Sequence, residues 1–468
     1  MRISARKGVN FYQNGAISLA VEPARIPAEL TVPLSVIKGE ALELAVQPGE
    51  NVEKNQPLAK PQGDGCPVYA PCAGRFVEIV ERRLPGLGKT PCARIQVDIE
   101  KTEASRPAGR RTGRYTPEGG VQVQQRERGK RSLTLRRLIG IAKRAAIVDE
   151  IDGRRLWKKL EDLEDGEKPA AVYAYGIDDQ PYMAAGLGIL ASFGREVAGA
   201  LKLLGEALSA GTGILARQEK DAAALLAEEY FGVPVVYVGG KYPSAPAAEA
   251  YLEVVKGVRF GVGACLSLYR AVEEGEPQIT SIVTVAGDGL QTPLNLEVPL
   301  GVSVGDLLEQ CGAFGVIQRV VAGGLMTGRI AGPQSPLHPG ITALTAQAEA
   351  PQPPRSACTG CGRCAAVCPA GLAPFHLYQV AKKSSPAQLE ALGGKNCMGC
   401  GCCSYICPAG LPLTACAQWV RRSLEEAAKR EKGLRESKET PARAERAVEA
   451  KAGMSAGGRE GKGHGENR

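Results

Sequence analysis

Two stretches of this sequence carry cysteines at a spacing that suits one chemistry. The first is CTGCGRCAAVCPAGL, from Cys358; the second is CMGCGCCSYICPAGL, from Cys397. Each reads C-x-x-C-x-x-C-x-x-x-C-P. A [4Fe–4S] cluster takes four thiolates, and in two-cluster ferredoxins the fourth cysteine of each run ligates the other run's cluster. The spacing therefore predicts one cluster on Cys358, Cys361, Cys364 and Cys407, and a second on Cys397, Cys400, Cys403 and Cys368. Pro369 and Pro408 supply the turn after the last ligand. Gly360, Gly362, Gly399 and Gly401 let backbone amides approach the sulfurs. Zinc is disfavoured, because structural zinc sites pair C-x-x-C elements rather than triples with a trailing C-P. Cys402, beside Cys403, reads as a structural bystander, and Cys416 as a packing residue on a helix.

Other motifs say less. The G-x-G at Gly186 lies inside an apolar helical stretch rather than after a strand, so it reads as helix packing. FGVGACLS, which holds Gly261 and Gly263, reads as a turn entering a helix. Such a turn can cradle a phosphate, but a plain strand-to-helix turn reads equally well. The chain has no P-loop, H-E-x-x-H or G-x-S-x-G motif. Its three histidines, His338, His376 and His464, have no catalytic companion and read as packing or surface groups.

The elements that must position these residues come next. The chain has 468 residues, with 58 Gly, 32 Pro and 5% aromatics. That length calls for about two to four domains. The mix suits β-rich and α/β domains with many turns, not a helical bundle. The formal net charge is +8, and the stretch from Lys101 to Arg131 holds nine Lys/Arg against three Asp/Glu. Tyr115 is its one aromatic residue, so it reads as a solvated connector and not as a nucleic-acid-binding segment. No run of about 20 apolar residues is present, which predicts no transmembrane helix. MRISARKGVNFYQNG at the start lacks the apolar core of a signal peptide. The expected place is the cytoplasm, or the cytoplasmic face of a membrane by docking to partners. Cysteines grouped this way in a reducing compartment mean metal rather than disulfides.

Residues 1–100 read as short strands punctuated by Pro-Gly. LELAVQPGENVEKNQPLAK and GCPVYAPCAGRFVEIVERRL look like the two halves of a lipoyl-type hammerhead. The hairpin PQGDGCPVYAP has no lysine for a lipoyl or biotinyl group, so the domain reads as a non-carrier, with Cys66 and Cys72 as packing residues. Residues 101–131 form the basic linker. Over 132–275, helical stretches such as LRRLIGIAKRAAIVDEI, MAAGLGILASFGREVAGALKLLGEAL and EKDAAALLAEEYFG alternate with apolar strands AAVYAYGI, GTGILA and VPVVYVGG. This predicts an α/β domain with a largely parallel sheet. Residues 276–332 read as a compact β-grasp module and 333–355 as a Pro-rich connector. Residues 356–425 read as a helical two-cluster ferredoxin domain, and 426–468 as a charged, disordered tail. The fold class is thus multidomain, α/β plus β.

This order of parts resembles the RnfC family, a peripheral component of the Rnf-type electron-transport complex. That family's α/β and β-grasp (SLBB-like) parts are in turn similar to the NADH- and flavin-binding subunit of respiratory complex I. PGENVEKNQPLA, GEPQITSIVTVAGD, VPLGVSVGDLL, VAGGLMTG and both cysteine runs carry the likeness, which covers nearly the whole chain up to about residue 425. The resemblance implies an FMN and NADH site in the α/β domain. Three of its elements depart from the pattern. The glycine-rich flavin loop, GLGGAGFPT-like in the family, reads AAIVDEIDGRRLW from Ala145, with Gly153 its one glycine. The acidic GAECEPY segment reads GIDDQPY from Gly176, keeping Asp178 and Asp179 but placing Gln180 for the second Glu. The NVGT-like flavin contact reads GVGA from Gly261. Charged, bulky side chains block close backbone approach to a phosphate.

Asp178, Asp179, Gly261 and Gly263 are therefore the residues of a flavin or nucleotide remnant, and the three departures together argue that the FMN–NADH site is lost or rebuilt. The resemblance implies an electron-transfer subunit of an oxidoreductase complex, working through two [4Fe–4S] clusters. Its expected partners are the other subunits of a membrane redox complex, with an acidic ferredoxin or flavodoxin suggested by the positive charge. The alternatives are a flavin-dependent NADH oxidoreductase with an altered site, and a cobalamin reductase.

Overall fold

The computed structural model describes residues 1–11, 17–37, 40, 42–104, 133–217, 229–349, 356–381 and 383–431. Most of the basic linker, the end of the Pro-rich connector, the tail from residue 432 and His464 lie outside the described residues. So does most of the helix expected over EKDAAALLAEEYFG. Its last residues are described, and they differ from the expectation: Glu229–Tyr230 is a short strand, antiparallel to Val233–Gly240. The chain divides into two units, Met1–Pro353 and Pro354–Arg468.

In the first unit, five parallel strands run in the order Arg2–Ala5, Val233–Gly240, Gly211–Arg217, Ala171–Gly176 and Gly257–Gly261. Successive side chains on a strand point to opposite faces. Val172, Ala174, Ile214, Ala216, Val233 and Val235 accordingly enter one core, which helix Ala185–Leu208 lines. Tyr173, Leu215, Val236 and Val238 enter another, lined by helix Ala245–Val254. Both faces are apolar because both are covered, as parallel sheets require. Gly186 opens the long helix, and a Cβ there would lie 3.2 Å from the Gly176 backbone. Glycine lets the helix close on the strand end, so the G-x-G is a packing feature.

Arg2–Ala5 borders the parallel sheet, and Val21–Pro23 pairs in parallel with Leu294–Pro299. The region expected as a hammerhead has one sheet of Glu29–Pro33, Gly88–Val97, Gly74–Leu84 and Asn51–Val52, and another of Leu42–Leu44, Pro57–Pro61 and Val68–Tyr69. The hairpin without a lysine packs against the α/β domain. Cys66 is wholly buried in the α/β core with Trp157, and that burial pushes its thiol up. Asp64 pairs with Lys143 at 3.1 Å, and the Tyr69 hydroxyl donates to the Arg144 carbonyl at 2.6 Å. Helix Ile99–Ala104 takes the start of the stretch expected as linker.

The sheet of the region expected as a β-grasp runs Arg329–Ala331, Arg319–Ala322, Ala343–Gln347, Thr280–Ala286, Leu294–Pro299, Val21–Pro23. Ala343–Gln347 corrects the connector expected over 333–355. It lies mid-sheet, parallel to Thr280–Ala286, with Thr345 and Ala346 fully buried. Ala343 to Ala346 are all buried, as a strand inside a sheet requires. Helix Val304–Gln310 is capped by the Ser303 hydroxyl, which accepts from the Asp306 N–H at 3.2 Å. The hammerhead and β-grasp share one core, holding Leu30, Phe76 and Ile95 with Val283, Leu296 and Leu344.

The second unit has short helices Arg363–Ala366, Pro374–Val380, Pro386–Ala391 and Cys402–Tyr405, and a long helix over 413–431. That helix runs past residue 425, where the tail was expected to begin. Its Ala417, Val420 and Leu424 recur at helical spacing and pack with Cys368, Leu377 and Leu389. Among the described residues, no helix is long and apolar enough to cross a membrane.

Candidate functional site

The two cysteine runs form an internal repeat displaced by 39 positions, from Cys358 to Cys397. Backbone conformation follows the repeat. Gly360 and Gly399 have φ of 70° and 71°, Gly362 and Gly401 have 70° and 87°, and Gly371 and Gly410 have 68° and 61°. Left-handed φ at these points favours glycine. It curls each loop so that its cysteines converge on one side, and Arg363–Ala366 and Cys402–Tyr405 each add one helical turn carrying the third cysteine.

Two recesses result, of about 340 and 350 Å³ counting space open to solvent. Cys358, Cys361 and Cys364 line the first together with Cys407 from the other run. Cys397, Cys400 and Cys403 line the second together with Cys368. Among the described residues, no three His, Cys, Asp or Glu side chains close on a single ion. The sulfurs stand around a space instead, which suits a multi-iron core.

Burial pushes the thiols of Cys364 and Cys397 up, and that of Cys403 up to about 11. Cys361 is exposed and moves down, chiefly through the Arg363 backbone N–H. Neutral thiols in apolar recesses become stable thiolates when cations bind them, so the donor set fits an iron–sulfur cluster. Cys402 is buried, lines the second recess, and hydrogen-bonds Cys400; that bond and burial push its thiol up. Cys416 packs in the second unit's core, its sulfur 3.9 Å from the Leu377 carbonyl. His376 is a surface residue whose ring is tilted at 55° to that of Phe375, with centroids 4.1 Å apart.

The nucleotide-type residues gather elsewhere, at the carboxyl ends of the parallel strands, where open α/β sheets bind ligands. Their donors are already taken. The Gly263 and Ala264 N–H groups donate to the two carboxylate oxygens of Glu150, at 2.6 and 2.9 Å. The Gly261 N–H donates to Asp149 at 3.1 Å. A side chain from the charged loop thus sits at the start of helix Val262–Glu273, where a phosphate would sit. Burial and the neighbouring Asp149 push the Glu150 carboxyl up, against the pull of its backbone donors. Asp149 is buried and paired with Lys159 at 2.6 Å. These residues do not fit a flavin phosphate at Gly261–Gly263.

The acidic pair is likewise engaged. Asp178 accepts from the Leu187 N–H at 3.0 Å, inside the first turn of helix Ala185–Leu208. Asp179 accepts from the Ser244 N–H at 2.6 Å, and Arg217 donates to the Ser244 hydroxyl at 2.7 Å. Burial raises Asp179, with Ser244 and Arg217 opposing. Gln180, read in sequence as a lost carboxylate, bonds Thr327 and the Met326 N–H, each at 2.9 Å. It joins GIDDQPY to VAGGLMTG. Glu150 is the residue that sequence reasoning missed; it read as a blocking side chain and not as an occupant.

Three family models match. Residues 3–100 match the RnfC barrel sandwich hybrid domain, 282–329 the SLBB domain and 357–411 the 4Fe-4S dicluster domain. The RnfC-type subunit of the proton-translocating ferredoxin:NAD(+) oxidoreductase complex of Clostridium ljungdahlii is 25% identical over 388 residues, covering 78% of this chain and 80% of that protein. The RnfC-type subunit of the ion-translocating oxidoreductase complex of Rhodobacter capsulatus is 27% identical over 386 residues, covering 76% and 70%. A solved NAD+-reducing [NiFe]-hydrogenase is 15% identical with a TM-score of 0.38 over 56% of this chain, which spans about half (53%) of that one. With the RnfC N-terminal, SLBB and iron–sulfur domains in that order, the chain is RnfC-like.

Proposed function

We propose that this chain relays electrons through two [4Fe–4S] clusters as the RnfC component of an Rnf-type ion-translocating redox complex. The crossed lining of the two recesses carries the reading: each takes three cysteines from one run and the fourth from the other. A bound cluster supplies a one-electron store. The cysteines hold it, the left-handed glycines aim them, and Phe375, Leu411 and Leu413 form the apolar wall of the first recess. Crossed ligation ties the two clusters to each other's loops and keeps them within short transfer range.

The α/β domain serves as a docking scaffold, because Glu150 holds the N–H groups that an FMN phosphate needs. Partners are the other subunits of the complex, which keep the chain at the membrane's cytoplasmic face, and an acidic ferredoxin or flavodoxin matches its charge of +8. Anaerobic reconstitution followed by iron and flavin assays tests the proposal. About eight iron atoms per chain and no FMN are expected from two four-iron clusters. Four or fewer would sink the two-cluster reading, and stoichiometric FMN would sink the scaffold.

A further inference from the structure

We infer that Thr414 donates an O–H···S hydrogen bond to Cys403 and so raises the reduction potential of the cluster that Cys403 ligates. The inference rests on the two-cluster reading above. The repeat supplies an internal control: as Cys364 corresponds to Cys403 and Leu372 to Leu411, so Phe375 corresponds to Thr414. In the first half, the Phe375 backbone N–H faces Cys364 and the ring forms part of the recess wall. In the second half, the equivalent N–H is diverted; Thr414 N donates to the Ser404 hydroxyl at 2.9 Å. The Thr414 hydroxyl stands 3.2 Å from the Cys403 sulfur in its place.

Ser404 corresponds to Ala365. Two differences across the repeat therefore act together: Ser404 takes the amide, and Thr414 returns a donor to the sulfur. Phenylalanine has no side-chain donor to offer. An iron-bound cysteine carries no proton, so the hydroxyl must donate and the sulfur accept. A donor on the sulfur draws charge from it and favours the more negative, reduced cluster. Thr414 is fixed for this task in the first turn of the 413–431 helix, with Ala417 beside it in the recess wall. Arg421 of the same helix donates to the Cys397 carbonyl at 2.8 Å and places positive charge on the same side.

The test is an EPR-monitored redox titration of the reconstituted full chain. Thr414→Val is expected to keep wild-type iron, lower one of two midpoints and leave the other. The expected shift in that reduction equilibrium is about threefold to tenfold, tenfold being about 59 mV for one electron. Thr414→Ser should restore the wild-type value. If the valine variant loses iron, Thr414→Ala decides by the same criterion. Unchanged midpoints at wild-type iron, or equal movement of both, would overturn the inference. Wild-type protein with iron for one cluster would instead overturn the reading beneath it.

Discussion

The cysteine repeat and the carboxyl edge of the parallel sheet start from similar material, glycine turns that lead into helices. They end differently. At Gly360 and Gly362 nothing stands within 4 Å of where a side chain would begin. At Gly261 and Gly263 the chain's own Asp149 and Glu150 take the backbone donors. A turn can hold a ligand only with groups the protein has not already satisfied, and buried backbone groups are nearly always satisfied by something. One region keeps a space for a guest. The other has filled the guest's place with a carboxylate.

The sharpest way to break this contrast is to remove cysteines in pairs. Cys407→Ser and Cys368→Ser should each cut iron from about eight to about four atoms. Pairing tells crossed from uncrossed ligation. Cys361→Ser with Cys407→Ser strikes one cluster twice, so about four iron atoms should remain; Cys400→Ser with Cys407→Ser strikes both and should leave almost none. The reverse pattern in iron assays would mean that each run closes on its own cluster.

The gathering of the cysteines into two groups was legible because cluster chemistry demands fixed residue types at fixed spacing. The parallel sheet was legible for a similar reason: Val172 to Gly176 and Val233 to Val238 carry apolar side chains on both faces. Tertiary partnerships were not. Nothing local in AIVDEIDG says that Glu150 reaches Gly263 and Ala264, 113 and 114 residues away. Nothing local in ITALTAQ says that it lies mid-sheet between Thr280–Ala286 and Arg319–Ala322. Thr414 falls between these cases. Its contact with Cys403 spans 11 residues and follows no local pattern, but laying the repeat on itself exposes the Phe375/Thr414 mismatch.

Acid should separate the two regions next. His338 is buried where the β-grasp meets the hammerhead, with Nδ1 accepting from the Gly340 N–H and Nε2 facing the Pro85 carbonyl, each at 3.3 Å. Burial pushes its imidazole down to about 4, from 6.5. The fold therefore prefers neutral His338. Its contribution is whole above pH about 6.5 and is lost as pH falls toward about 4, a total of about 3 kcal/mol. Urea unfolding of the first unit's signal at pH 7.5 and pH 4 should show this loss in the wild type and a flatter acid limb in His338→Gln. Equal acid limbs would show that another group governs the first unit's acid response.

The smallest expected effect tests the filled site itself. Glu150→Ala removes the acceptor for the Gly263 and Ala264 N–H groups at the start of a 12-residue helix. Orphaning such donors costs about 1–3 kcal/mol. Relief of repulsion from Asp149 keeps the loss near the lower figure. The variant should then gain what the wild type lacks, stabilisation by inorganic phosphate that grows with concentration, because a ligand that binds the folded state alone shifts unfolding. Glu150→Gln should respond less, since its amide oxygen still accepts one of the two bonds. Thermal unfolding with and without phosphate decides. A wild type that responds as strongly as Glu150→Ala would mean that the carboxylate yields to anions, and the contrast between an open site and a filled one would fail there.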